Sequence, residues 1–90
     1  MRATYTAKKV DTYTGIVGAA QDIPINGRPF MIANTGAQPL YINPAATATA
    51  ANGFLIPAGT LLPIKLAVVG NLSVISNATG TSIAVLYFDV

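Results

Sequence analysis

The chain has 90 residues, of which 52% are hydrophobic and only 9% charged, with a formal net charge of +2 and no His, Cys, Trp or Glu. That length makes one domain, the missing cysteines exclude a disulfide framework or a thiolate metal site, and the side chains that most often do acid–base chemistry are absent. The charged share lies far below the roughly 25% of an ordinary soluble domain, so much of the outer surface is expected to be covered by other protein.

Gly, Pro and Asn divide the chain into segments of about five to nine residues, the spacing of an all-β sandwich or barrel. Residues 1–20 read as an extended N-terminal arm or edge strand, and residues 21–90 as a β-sandwich domain. Within the arm, Arg2–Val10 alternates polar and small residues, while Thr12–Ala20 holds Gly15 and Gly18 and is loosely patterned. Met1-Arg2 leads into Thr4, Tyr5, Lys8 and Lys9 rather than into an apolar run, so no signal peptide is expected. Asp22–Ile25 and Arg28–Asn34 flank Asn26-Gly27, a dipeptide that predicts a two-residue hairpin. Phe30 and Ile32 share one face, and Met31 and Ala33 the other. Thr35-Gly36-Ala37 turns the chain into Gln38–Asn43, where Leu40 and Ile42 oppose Tyr41.

The Ala/Thr run Pro44–Ala51 lacks an apolar helical stripe and reads as a loop. A second Asn-Gly at Asn52-Gly53 precedes Phe54-Leu55-Ile56. In Leu61–Val68, Leu62, Ile64, Leu66 and Val68 line one face. Pro63 cannot donate to a ladder, which predicts an edge position. Leu72–Ser76 follows, and Ser82–Val90 closes the chain with Ile83, Val85 and Tyr87 on one face and Ala84, Leu86, Phe88 and Val90 on the other. Both faces of that last strand are apolar. One should meet the core, the other the N-terminal arm or a partner. The predicted core is Phe30, Ile32, Leu40, Ile42, Leu62, Ile64, Leu66, Val74 and Val85.

Little in the sequence is equipped for chemistry. Asp11 and Asp22 flank a Gly-bearing loop and read as solvated turn aspartates. Ser73, Ser76 and Ser82 have no His base and no nucleophile-elbow pattern. Lys65 alternates with apolar residues as a snorkelling edge lysine does. There is no calcium-loop pattern and no Gly-rich phosphate cradle. No enzyme activity and no cofactor are therefore expected. Phe30, Phe54 and Phe88 read as core, and Tyr5, Tyr13 and Tyr41 as contact-forming aromatics. Of the basic residues only Arg2, Lys8 and Lys9 cluster, too few for a nucleic-acid surface. No apolar stretch is long enough for a membrane helix. Arg2, Tyr5, Lys8, Lys9 and Tyr13 make the arm the candidate interface, expected to contact protein outside its own sandwich.

One string of residues has a family resemblance. It comprises Ile32-Ala33-Asn34-Thr35-Gly36, Pro39-Leu40-Tyr41-Ile42-Asn43, Asn52-Gly53-Phe54-Leu55-Ile56-Pro57-Ala58-Gly59, Gly70-Asn71-Leu72-Ser73-Val74-Ile75 and Ala78-Thr79-Gly80-Thr81. This resembles small β-sandwich structural proteins of tailed bacteriophages that decorate or cement the capsid. The arm is outside it. The resemblance implies a jelly-roll-like antiparallel sandwich of about seven or eight strands. It also implies the major capsid protein as partner, a location on the virion surface after synthesis in the host cytoplasm, and a homo-oligomer with a trimer favoured. The other reading is a tail, fibre or baseplate module that binds host glycan through exposed tyrosines.

Overall fold

The computed structural model describes residues 6–89, apart from the side chains of Ile64, Lys65 and Asp89. They form eight strands: β1 (Thr6–Ile16), β2 (Gln21–Pro24), β3 (Phe30–Asn34), β4 (Leu40–Asn43), β5 (Phe54–Ile56), β6 (Leu61–Leu66), β7 (Asn71–Ile75) and β8 (Thr81–Asp89). Two four-stranded sheets result, ordered β1-β8-β3-β6 and β2-β7-β4-β5. Every pairing is antiparallel. Successive strands switch sheets except at β4–β5 and at no other step, and this interleaving is that of a jelly roll. Pro63 lies in β6, an edge strand, where its missing N–H costs no ladder bond.

The core forms where the period-two faces of both sheets meet. It contains Ile16, Ile23, Ile25, Phe30, Ile32, Leu40, Ile42, Ile56, Val68, Leu72, Val74, Ile83, Val85 and Tyr87, with Leu62 and Leu66 packed against it half-buried. Of the predicted core, only Ile64 lies outside the described side chains. Phe54 is a correction: it pairs with Ile42 at the open edge strand β5 and is 59% exposed. No further strand covers it there, so an apolar run at an edge does not make a core residue.

The Asn26-Gly27 hairpin is a second correction. Both residues adopt positive φ, 56° and 80°, and the Arg28 amide bonds the Ile25 carbonyl at 3.3 Å, so the tight turn exists. Its flanks nevertheless enter different sheets. The Ile25 and Asn26 amides donate to the Gly70 carbonyl, and the Gly27 amide to that of Val68. The turn is thus hydrogen-bonded to the β6–β7 connection instead of zipping its own flanks, and Pro24 and Pro29 lack the N–H groups a hairpin ladder would use. Asp11 and Asp22 likewise lie on strands, not in turns.

A buried polar side chain joins the sheets. Asn34, 1% exposed at the end of β3, donates from Nδ2 to the Gln38 carbonyl at 2.7 Å and to the Ile56 carbonyl at 3.0 Å. Its Oδ1 accepts from the Thr81 hydroxyl at 2.7 Å and from the Gly36 amide at 3.2 Å. All four side-chain bonding positions of the amide are used. The Thr35 amide and hydroxyl meet the Ser82 carbonyl and hydroxyl, both at 2.9 Å. Gly36 is required by this closeness, since a Cβ there would collide with Thr81 and come within 2.7 Å of the Ser82 amide.

Replacing Asn34 by Ala would orphan two carbonyls and a hydroxyl, and is expected to cost roughly 3–5 kcal/mol in chemical denaturation. Thr81→Val removes one donor and is expected to cost only about 1 kcal/mol. Equal, small losses for both would show that Asn34 does not hold the sheets together.

Candidate functional site

The two sheets treat their outer faces differently. On the β2-β7-β4-β5 sheet, residues 44–53 fold back over the strands. Asn43 starts this by accepting the amides of Ala45 and Ala46 on Oδ1, at 2.9 and 3.0 Å. Asn52 closes it by accepting the Thr49 amide at 2.7 Å and donating to the Thr47 carbonyl at 3.1 Å. Ala48, 1% exposed, donates its amide to the Ser73 hydroxyl of β7 at 2.9 Å. Gly53 lies so close to Tyr41 that a Cβ would come within 2.6 Å of the tyrosine's own Cβ.

The outer face of the β1-β8-β3-β6 sheet has no such cover from the described residues. The register puts Val10 beside Leu86 and Leu86 beside Met31. The next row is Thr12, Ala84, Ala33 and Leu61. Val10, Met31, Ile32, Ala33, Leu61, Ala84 and Leu86 line a shallow groove of about 200 Å³ with no charged residue in its wall. Val10 is 57% exposed and Leu61 55%.

A second feature lies at the β8 end of this sheet. Lys8, Lys9, Asn26, Gly27, Arg28, Pro29, Tyr87 and Phe88 surround an open pocket of about 560 Å³. The Arg28 guanidinium sits 4.0 Å from the Tyr87 ring centroid, and the Lys9 ammonium 5.3 Å from it, both within cation–π range. Arg28 Nε is anchored to the Ile25 carbonyl at 3.3 Å. Lys9 also pairs with Asp11 at 3.3 Å, an exposed ion pair worth only about 0–1 kcal/mol. Tyr87 is 1% exposed, and its hydroxyl has no hydrogen-bond partner among the described residues. Burial raises the Tyr87 pKa above the ordinary tyrosine value; the neighbouring Tyr13 adds to this and Arg28 opposes it.

Of the expected interface residues, Arg2 and Tyr5 lie outside the described residues. Lys8 and Lys9 are exposed on β1 and line this pocket. Tyr13 is half-buried and packs on the core. Residues 6–16 pair with β8 of their own sheet, so the described part of the expected arm is an edge strand. Asp11 and Asp22 lie in different sheets, and no group of three carboxylates forms among the described residues. The Arg28–Tyr87 stack is absent from the sequence reading. The one signal for it was the alternation that places Tyr87 inward beside Ile83 and Val85.

No protein-family model matches the chain, and neither a curated protein nor a solved structure is similar enough to count as a match.

Tyr87→Phe removes a buried hydroxyl that has no described partner. Stability near neutral pH is expected to stay level or rise by about 1 kcal/mol. A raised folded-state pKa contributes stability that is complete below the unfolded tyrosine value of about 10 and is lost as pH rises through the folded value. Unfolding free energies should therefore run parallel for the parent chain and Tyr87→Phe up to about pH 9.5, and above about pH 10 fall more steeply for the parent.

Proposed function

We propose that the protein is a structural virion component, a capsid decoration or cement module. It binds the outer capsid surface through protein–protein contacts and works as a closed homo-oligomer, a trimer being the favoured form. The major capsid protein is the proposed partner, and no catalysis is involved. The observation that carries this reading is the apolar groove on the outer face of the β1-β8-β3-β6 sheet, which no charged side chain lines among the described residues. The chain spends ten residues' worth of loop, 44–53, on the other sheet, while no described residue covers this one. Contiguous exposed apolar surface of that kind marks interaction sites, and the low charge of the whole chain suits a body that is covered in its assembly. Jelly-roll architecture supports the reading by analogy, since it recurs in viral capsid domains, although fold alone does not identify function. Of the tyrosines behind the glycan-binding alternative, Tyr13 and Tyr41 are half-buried, and Tyr5 lies outside the described residues.

Leu86 sits at the centre of the bare face, flanked by Val10 and Met31. Leu86→Glu places a charge there without entering the core. It is expected to weaken self-association, and binding to particles lacking the protein, by roughly thirtyfold or more, the loss typical of a central contact residue. Sedimentation velocity and particle co-sedimentation measure both effects. Asp22→Lys, on the other sheet, serves as a control and should change neither. A Leu86→Glu protein that still assembles and binds like the parent would overturn the assignment of this face.

A further inference from the structure

We infer that the Arg28–Tyr87 pocket takes the carboxylate of an acidic, partly apolar peptide segment carried by a partner chain. The choice of a peptide as ligand rests on the reading of the adjoining face as a protein-contact surface; the recognition of a carboxylate does not.

The geometry starts with Arg28. Its guanidinium plane is held at two points, by the ring 4.0 Å away and by the Nε bond to the Ile25 carbonyl. The terminal nitrogens make no hydrogen bond among the described residues. A guanidinium already fixed in this way presents its remaining donors as a ready fork for two carboxylate oxygens, with little rotamer freedom left to lose. Lys8 and Lys9 add positive charge to the same rim. Lys9 is bound to Asp11, and Lys8 has a contact of its own, so Arg28 is the cation that the site rests on.

The walls decide which anion fits. Pro29 and Phe88 give the lining apolar surface that a ligand can touch, while Tyr87, 1% exposed, serves to hold Arg28. A bare phosphate or a nucleic-acid backbone would gain nothing from them, and sustained backbone tracking needs more cations than three. A carboxylate attached to an apolar peptide neighbour would use both the fork and the walls. The pocket lies at one end of the bare face: Phe88 lines the pocket, while Leu86 and Ala84, on the same side of β8, line the groove. A partner chain lying along the outer face would therefore reach the cationic end without leaving the surface.

The test titrates the intact isotope-labelled protein with three probes, followed by amide NMR. They are a blocked hexapeptide with a single Asp beside a Phe, its Asn counterpart, and inorganic phosphate. The Asp peptide is expected to shift Gly27, Arg28, Tyr87 and Phe88 and to bind about tenfold tighter than the Asn peptide. Arg28→Gln should weaken the Asp peptide about tenfold, and Arg28→Lys should recover only part of the loss, since the fork is gone while the charge remains. Lys9→Gln, at an exposed position, keeps the test usable if Arg28→Gln fails to fold, and should cost about two- to fivefold. Equal binding of the Asp and Asn peptides, shifts centred elsewhere, or folded variants that bind like the parent would overturn the inference. Phosphate binding as tightly as the Asp peptide would make this a free-anion site and would equally overturn it. Loss of peptide recognition alongside Leu86-dependent particle binding would sink this inference alone; the reverse pattern would sink the capsid reading alone.

Discussion

The buried amide of Asn34 is the interaction on which the geometry of the outer surface depends. With no cysteine in the chain, nothing covalent fixes one sheet against the other. Asn34 bonds at once to the start of β8 through Thr81, to the β3–β4 turn through Gly36 and Gln38, and to β5 through Ile56. A buried amide with every bonding position filled is intolerant of displacement, because any slip leaves polar groups without water or partner. Strand parity follows from that anchoring. Asn34 lies opposite Ile83, so Met31 falls beside Leu86 and Phe30 beside Tyr87. A slip of one residue would exchange the two faces, bringing Leu86 inward and turning Tyr87 out. The bare apolar face and the cationic pocket are therefore two outcomes of one register.

Tyr87 shows a local arrangement that stability alone does not explain. Two cation–π contacts contribute about 0.5–2 kcal/mol each. A buried hydroxyl with no well-formed hydrogen bond among the described residues costs about 1–3 kcal/mol, and holding Arg28 in one orientation costs side-chain entropy as well. These terms nearly cancel. Phenylalanine would keep the ring and avoid the hydroxyl cost. What the site does provide is an oriented guanidinium at the margin of an apolar face, which is useful to a ligand and of little use to the isolated fold.

The parts of this structure that were legible in the sequence are those governed by period two. Phe30 and Ile32, Leu40 and Ile42, and Ile83 and Val85 all face inward as their alternation requires, and Pro63 located an edge. The parts that were not legible depend on pairing between distant segments. Asn26-Gly27 specifies a tight turn locally, but which strands flank it was decided by the carbonyls of Val68 and Gly70, more than forty positions on by the sequence numbering. Residues 2–10 and 12–20 read as separate segments, because Gly15 and the irregular alternation mask a strand that runs from Thr6 to Ile16. β8 supports that strand through two register shifts, and such bulges carry no clear period. The pocket was hidden for the same reason. Its cations come from β1 and from the β2–β3 turn, and only the strand order 1-8-3 brings them to one tyrosine.

The unequal treatment of the two outer faces bears directly on function. Covering a sheet with a loop means ordering each loop residue at about 1–2 kcal/mol of backbone entropy. Here that ordering is supported by Asn43, Asn52 and Ser73, whose side chains satisfy the loop's amides. The other sheet also has an outer face, and there no described polar side chain is arranged to hold a cover. The residues there are Val10, Met31, Ala33, Leu61, Ala84 and Leu86, with threonine at the β1 margin. A face meant for water would carry charge at some of these positions, and edge strands in particular use charge to discourage association. Among the described side chains, the charges nearest to it, Lys8, Lys9 and Arg28, are gathered at one end instead of being spread across it. An apolar field with cations at one end has a direction. A partner can read that direction, so the surface can select orientation as well as contact.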